Sequence, residues 1–236
     1  MAKTYLQLVN LVHGYLRGPT VTEVNADADT IIIANFLNQA KERVESAWKW
    51  NILRKTITFN GSASTYTYDT SDAGVATVNQ TNERSVLLFD QENRPLFWDV
   101  TSGGEFRLEA ISRERAQSIY RLDQSTTTSP SQFTAYRLGS GLTIFFPVAP
   151  SGTRNYSFEA YVPQAELSAK TDELTVPWRP VVMLATSLAA GERGDEFGAA
   201  QQMYMDLYED AIATEIAFDQ EGQEGFDLES DQLSIR

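Results

Sequence analysis

The sequence predicts an α+β fold: a four-helix bundle drawn from both chain ends, an inserted antiparallel β module of sandwich or barrel-like form, and an extended C-terminal tail. Three observations predict it. Apolar residues recur with a helical period up to Trp50, the period falls to two from Asn51 onward, and the helical period returns at Pro177-Trp178-Arg179-Pro180. The expected boundaries are 1–54 and 177–221 for the bundle, 55–176 for the β module and 222–236 for the tail. Because the first and last elements must return to one bundle, the strands form an insertion.

In the first helix, expected over 4–17, Tyr5, Leu8, Val9, Val12, Tyr15 and Leu16 share one face, and Gly18-Pro19 ends it. The second, expected over 30–50, carries Ile33, Phe36, Leu37, Ala40, Val44, Ala47 and Trp48 as its stripe. Asp27, Asp29 or Thr30 can cap its start, and Gln39, Lys41, Glu42, Arg43 and Glu45 are expected mostly on the wet side. Beyond Asn51, Ile57 and Phe59 alternate with threonines, Asn60-Gly61 signals a turn, and Tyr66 and Tyr68 alternate again. Further strands are expected at 85–89, 95–100, 106–110, 132–138, 142–147 and 154–162. A short helix is expected over 112–121 and an exposed Ser/Thr-rich loop over 123–131. The third bundle helix, 180–192, is apolar nearly all round and should be the most buried. Asp195 should cap the last, 195–219, whose stripe is Phe197, Ala200, Tyr204, Leu207, Tyr208, Ala211, Ile212 and Ile216.

The chemistry this chain can carry is narrow. Its 236 residues contain no cysteine and one histidine, His13, which excludes disulfides, thiolate zinc, cysteine nucleophiles and a multi-histidine metal site. A serine-histidine-acid triad would have to pass through His13, which sits beside the apolar stripe and reads as structural. The common phosphate-loop, dinucleotide, HExxH and GxSxG signatures are missing. Paired carboxylates for glycoside hydrolysis need neither Cys nor His and stay open. Trp48 and Trp50 read as core packing where helix two enters the β module, or as an aromatic platform for sugars or bases. The expectation is a protein that is not an enzyme, with no catalytic, cofactor-binding or metal residues and no cofactor. The start lacks the continuous apolar run of a signal peptide, and no run of about 18 apolar residues suits a membrane.

Charge is unevenly placed. Of 32 acids, 12 fall in residues 195–236 beside one base, Arg236, for a net of −11, leaving −2 for the rest of the chain's −13. Such an end does not seek phosphates; it is a solubilising tail or a segment reserved for a partner. Within 222–236, Phe226, Leu228, Leu233 and Ile235 are spaced among acids and glycines, the pattern of a segment that orders on binding.

The segments Thr4-Tyr5-Leu6, Asn35-Phe36-Leu37-Asn38-Gln39-Ala40, Val44-Glu45 and Trp48-Lys49-Trp50-Asn51 resemble the amino end of head-to-tail adaptor (connector) proteins of tailed bacteriophages, including the tail tubular protein A, or gatekeeper, type. Leu142–Pro147 and Tyr156–Tyr161, joined through Pro150-Ser151-Gly152, are similar to a later β segment of that family. Pro177–Pro180 with Glu192-Arg193-Gly194 resembles the start of its carboxyl-terminal helices. The resemblance implies a structural virion protein assembled in the host cytoplasm. It implies a homo-oligomeric ring, usually a dodecamer, between the portal protein and the tail or nozzle proteins. It also implies a channel for genomic DNA without sequence-specific binding, and no membrane. By the same analogy Phe226, Leu228, Leu233 and Ile235 would anchor the tail on the portal. The competing expectation is a carbohydrate-binding β module on a helical stalk.

Overall fold

The structure, a computed structural model, describes residues 2–70, 81–101, 105–122, 126–127, 129–138, 141–194 and 198–233. Its helices are α1 (Tyr5–Tyr15), α2 (Ala28–Ala47), α3 (Arg113–Leu122), α4 (Trp178–Glu192) and α5 (Gly198–Leu233). The chain forms two compact units, one of residues 1–53 with 164–236 and one of residues 54–163. The second boundary falls at Pro163/Gln164 rather than 176/177, because residues 164–176 bond to the helices.

In the helical unit, α1 opens on a capping box. Thr4 Oγ1 accepts the Gln7 N–H at 3.3 Å while Gln7 Oε1 accepts the Thr4 N–H at 3.1 Å. Asp27 caps α2, its carboxylate accepting the Thr30 N–H at 2.8 Å. The helix stops before Trp48, whose backbone is extended; Trp50 then turns its indole N–H onto the Val44 carbonyl at 2.7 Å, satisfying one of the open carbonyls of the last turn. α4 follows Pro177, carries Pro180 in its first turn, and packs against α1, α2 and α5. Val181, Leu184, Ala185, Thr186, Ser187 and Ala190 are all buried, and at helical spacing they cover every side of the helix.

Lys41 and Glu45 overturn the wet-side expectation. Both are buried, 3.5 Å apart on one face of α2. The Lys41 ammonium donates to the carbonyls of Gln164 (2.7 Å) and Ala165 (3.0 Å), and Glu45 accepts the Gln164 N–H at 3.0 Å. Asn38, on the same face, accepts the Leu167 N–H and donates to its carbonyl. An extended backbone carries donors and acceptors that must be satisfied when buried, and these three side chains do so for residues 164–167. Asp172 holds the following turn by accepting the N–H groups of Ser168 and Ala169 at 2.8 Å each, which lowers its pKa below the ordinary carboxylate range. Tyr5 completes the attachment. Its phenol donates to the Ala34 carbonyl at 2.8 Å, and burial, then the Glu166 and Asp172 charges, push its pKa up to about 12.

The second unit contains β1 (Arg54–Gly61), β2 (Thr67–Asp69), β3 (Val86–Leu87), β4 (Phe97–Asp99), β5 (Phe106–Arg107), β6 (Glu109–Ala110), β7 (Thr126–Thr127), β8 (Gln132–Leu138), β9 (Gly141–Phe145), β10 (Ala149–Pro150) and β11 (Arg154–Tyr161). One sheet runs β1-β11-β4-β5 with β3 also on β11; a second runs β2-β9-β8-β6; a third pairs β10 with β7. Among the described residues none of these sheets closes on itself into a barrel. The short β6–β8 and β7–β10 pairs are parallel and the other strand pairs antiparallel, in keeping with a mainly antiparallel unit. Residues 106–110 split between two sheets, and the Ser/Thr-rich loop contributes β7.

Asn60-Gly61 is not a turn. Both residues lie inside β1, opposite Asn155 and Arg154 of β11. Glycine is required at 61 for a different reason: a Cβ there would stand 2.5 Å from the Tyr156 ring. Ile57, Phe59, Phe97, Tyr156 and Phe158 from the first sheet, Tyr68, Phe133 and Ile144 from the second, and Phe146 just after β9 form one buried cluster. Phe97 is its hub, with ring centroids 4.4 Å from Phe133 and 5.6 Å from Phe158.

In the helical unit, α5 does not end near 219. It continues to Leu233, so residues 222–233 are helical rather than extended. The sequence there is acidic, but no proline interrupts it, and Gly222 and Gly225 each cost only about 1 kcal/mol in a helix already propagating.

Candidate interaction surface

The inner side of α5 is held at both ends of its first six turns. Near the start, Ser187 Oγ donates to the Gln201 carbonyl at 2.9 Å. The Tyr204 phenol donates to the Tyr15 carbonyl at 3.2 Å, and the Tyr15 and Tyr204 rings meet edge-on at 5.8 Å. Further along, the Asp219 carboxylate accepts the Trp48 indole N–H at 2.9 Å and the Asn51 N–H at 3.3 Å. Between these points Tyr208, Ala211, Ile212 and Ile216 are half-buried, in the expected stripe. Leu207 departs from that stripe and faces outward, and Asp195 and Phe197 lie outside the described residues.

The outer side is apolar and acidic together. Met203 and Leu207 are 48% and 45% exposed, and Asp206, Glu209 and Asp210 are exposed around them. Residues 198–233 hold ten acids and no base. At helical spacing, Met203, Asp206, Leu207 and Asp210 occupy one face. Below it, Phe218, 64% exposed, stands at the rim of a cleft of about 550 Å³ whose walls include Trp50, Ile52, Val176 and Trp178. Lys3 is the base among the cleft's lining residues, and α5 itself adds only acids, a balance that does not favour phosphate; exposed apolar side chains among like charges are the pattern of a protein-binding surface.

The β unit offers a surface of opposite sign. α3 buries Ala116 and stacks Tyr120 edge-on against Tyr66 (4.9 Å) and Phe145 (5.7 Å). Arg113 lies 4.3 Å over the Tyr136 ring. Arg115 and Arg121 are exposed, and Leu122 is 86% exposed, the barest large apolar side chain among the described residues. The sequence marked α3 as a short helix but gave no sign of this exposure.

The remaining sequence candidates fall as follows. His13 is buried with Nε2 3.2 Å from Thr30 Oγ1, a packing position between α1 and α2. Trp50 is buried with its indole N–H on the Val44 carbonyl, and half-buried Trp48 donates its own to Asp219, so both tie α2 into the helical unit. The buried acid of the β unit, Asp99, pairs with Arg154 at 3.3 Å and accepts from Ser129 and Thr101, a structural role. Among the described residues, no group of three or more acids and histidines is placed to hold a metal, and no helix is long and apolar enough to cross a membrane. Phe226, Leu228 and Leu233 lie on the helical backbone of α5; Ile235 lies outside the described residues.

The amino-acid sequence matches the model of the SU10 adaptor protein family over residues 3–229. The chain belongs to the SU10 adaptor protein family. It is thus a phage head-tail adaptor-type protein, in agreement with the resemblance carried by residues 4–51 and 142–194. No individual curated protein matches this adaptor.

Proposed function

We propose that this adaptor is a non-enzymatic structural component of the virion, assembled in the host cytoplasm into a homo-oligomeric ring, a dodecamer, between the portal protein and the tail or nozzle. Its narrower relation is to the tail tubular protein A, or gatekeeper, type. Genomic DNA passes through the central channel without sequence-specific binding. The observation that carries this reading is the family match across residues 3–229, nearly the whole chain. The outer face of α5 and the acidic residues 222–236 support it, because a net of −11 over residues 195–236 favours protein neighbours over adhesion to passing DNA. In this reading Phe226, Leu228, Leu233 and Ile235 anchor the C-terminal end of α5 on the portal, with their neighbouring carboxylates against basic portal residues.

The test is the mass of the purified protein alone and with its portal. A ring on the portal is the expected result. A single copy per portal-bearing head, or a monomer that binds glycans through the β unit, overturns it.

A further inference from the structure

We propose that, in the ring, α3 of one subunit docks on the outer face of α5 of the next subunit, so that the β unit of each copy is bound by the helical unit of its neighbour. This inference rests on the ring reading above and names the surfaces that would make it.

Charge and apolar character agree at once. α3 presents Arg115, Arg121 and the exposed Leu122; α5 presents Asp206 and Asp210 around the exposed Met203 and Leu207. Glu114 is the one acid on α3, at its first turn, where its own backbone N–H and then the Ser112 side chain lower its pKa. At helical spacing Arg115 and Leu122 share one face of α3, and the helix carries three arginines to one acid, so its net sign is opposite to that of the α5 face, which orients the encounter. The apolar pair decides the class of partner. A duplex would satisfy the two arginines through phosphates but leave Leu122 in water, whereas a helix bearing Met203 and Leu207 covers it. Both faces are open on the same chain, so the contact is heterologous and propagates head to tail, the geometry that closes into a ring.

The chain has no cysteine, which makes the test direct. Leu122→Cys and Leu207→Cys are made as separate full-length variants, mixed, assembled on the portal and oxidised. A disulfide between them can then only be intermolecular. The mixture is expected to give linked dimers at least about tenfold above either variant alone. Arg115→Glu with Arg121→Glu should weaken assembly by at least about tenfold, and adding Asp206→Arg with Asp210→Arg to the same chain should restore it. Rings that form without the cross-link, or that ignore both charge reversals, overturn this contact and leave the ring standing. Arginine variants that assemble normally but alter retention of DNA assign α3 to the channel instead. If the wild-type protein forms no ring on the portal, the ring reading falls and this contact falls with it.

Discussion

Replacing Lys41 with methionine isolates what holds residues 164–167 against α2. Lys41 is fully buried, 3.5 Å from Glu45, and donates at 2.7 and 3.0 Å to two backbone carbonyls. Methionine keeps the apolar stem and removes the ammonium. The carbonyls of Gln164 and Ala165 then lose a charged donor, at about 1–3 kcal/mol each, and Glu45 loses its ion partner while keeping the Gln164 N–H. These losses are not additive, and breaking a buried pair from one side costs about 3–5 kcal/mol. With a urea dependence of about 2 kcal/mol per molar, the midpoint of the helical unit should fall by about 2 M, read by circular dichroism at about 222 nm. Glu45→Gln should cost less, because Lys41 retains both carbonyls. A midpoint shift below about 0.5 M for Lys41→Met, or a larger loss for Glu45→Gln, would refute the reasoning.

Three further outcomes are expected. Phe97→Ala opens the centre of the aromatic cluster and should destabilise the β unit by about 3–5 kcal/mol, seen as an early loss of near-ultraviolet dichroism on heating. Asp27, Asp90 and Asp172 have pKa values depressed chiefly by backbone N–H bonds, Asp90 to about 2, from a starting value of 3.8. Since the folded values are the lower ones, their stabilisation is present above the starting value and is lost as pH falls toward about 2; Asp90→Asn should flatten the acid limb of a urea-midpoint profile. Removing residues 222–236 should leave a folded subunit by dichroism but weaken its attachment to portal-bearing heads, measured by co-sedimentation; equal attachment would make this end a solubilising one.

The helices were legible because Ile33, Leu37, Ala40 and Val44 repeat at the helical period and are all buried. The same rule misplaced Lys41 and Glu45. Amphipathic reading sends charges to water, and nothing local shows that backbone more than a hundred residues later will meet them. Residues 164–176 carry no period at all, since their bonds are to side chains of α2 and to the start of α1. In the β unit, alternation located β1, and the segments of β8, β9 and β11 were legible as strands between turn signals, whereas strands of two residues such as β5 and β6 are too short to alternate, and their sheet is set by neighbours. Asn60-Gly61 misled because a glycine admitted for a ring pressed against it has the same letters as a glycine in a turn. Of the interaction surface, the acidity of α5 was legible and its outward apolar residues were not: Leu207 fits the inner stripe by spacing, and only packing shows it outside.

The pairing of β1 with β11 has one more consequence. Arg54, the first residue of the β unit, stands directly opposite Tyr161, two residues before its last. Paired positions in an antiparallel ladder are about 5 Å apart, so this unit enters and leaves through a single narrow gate. A turn of about two to four residues could close that gate. The β unit is in this sense a cassette: its loops can lengthen, or the whole of it can be exchanged for another body, without moving the two chain ends that the helices receive. A lineage of such proteins can therefore alter this unit while keeping the fold of the helices that receive its two ends.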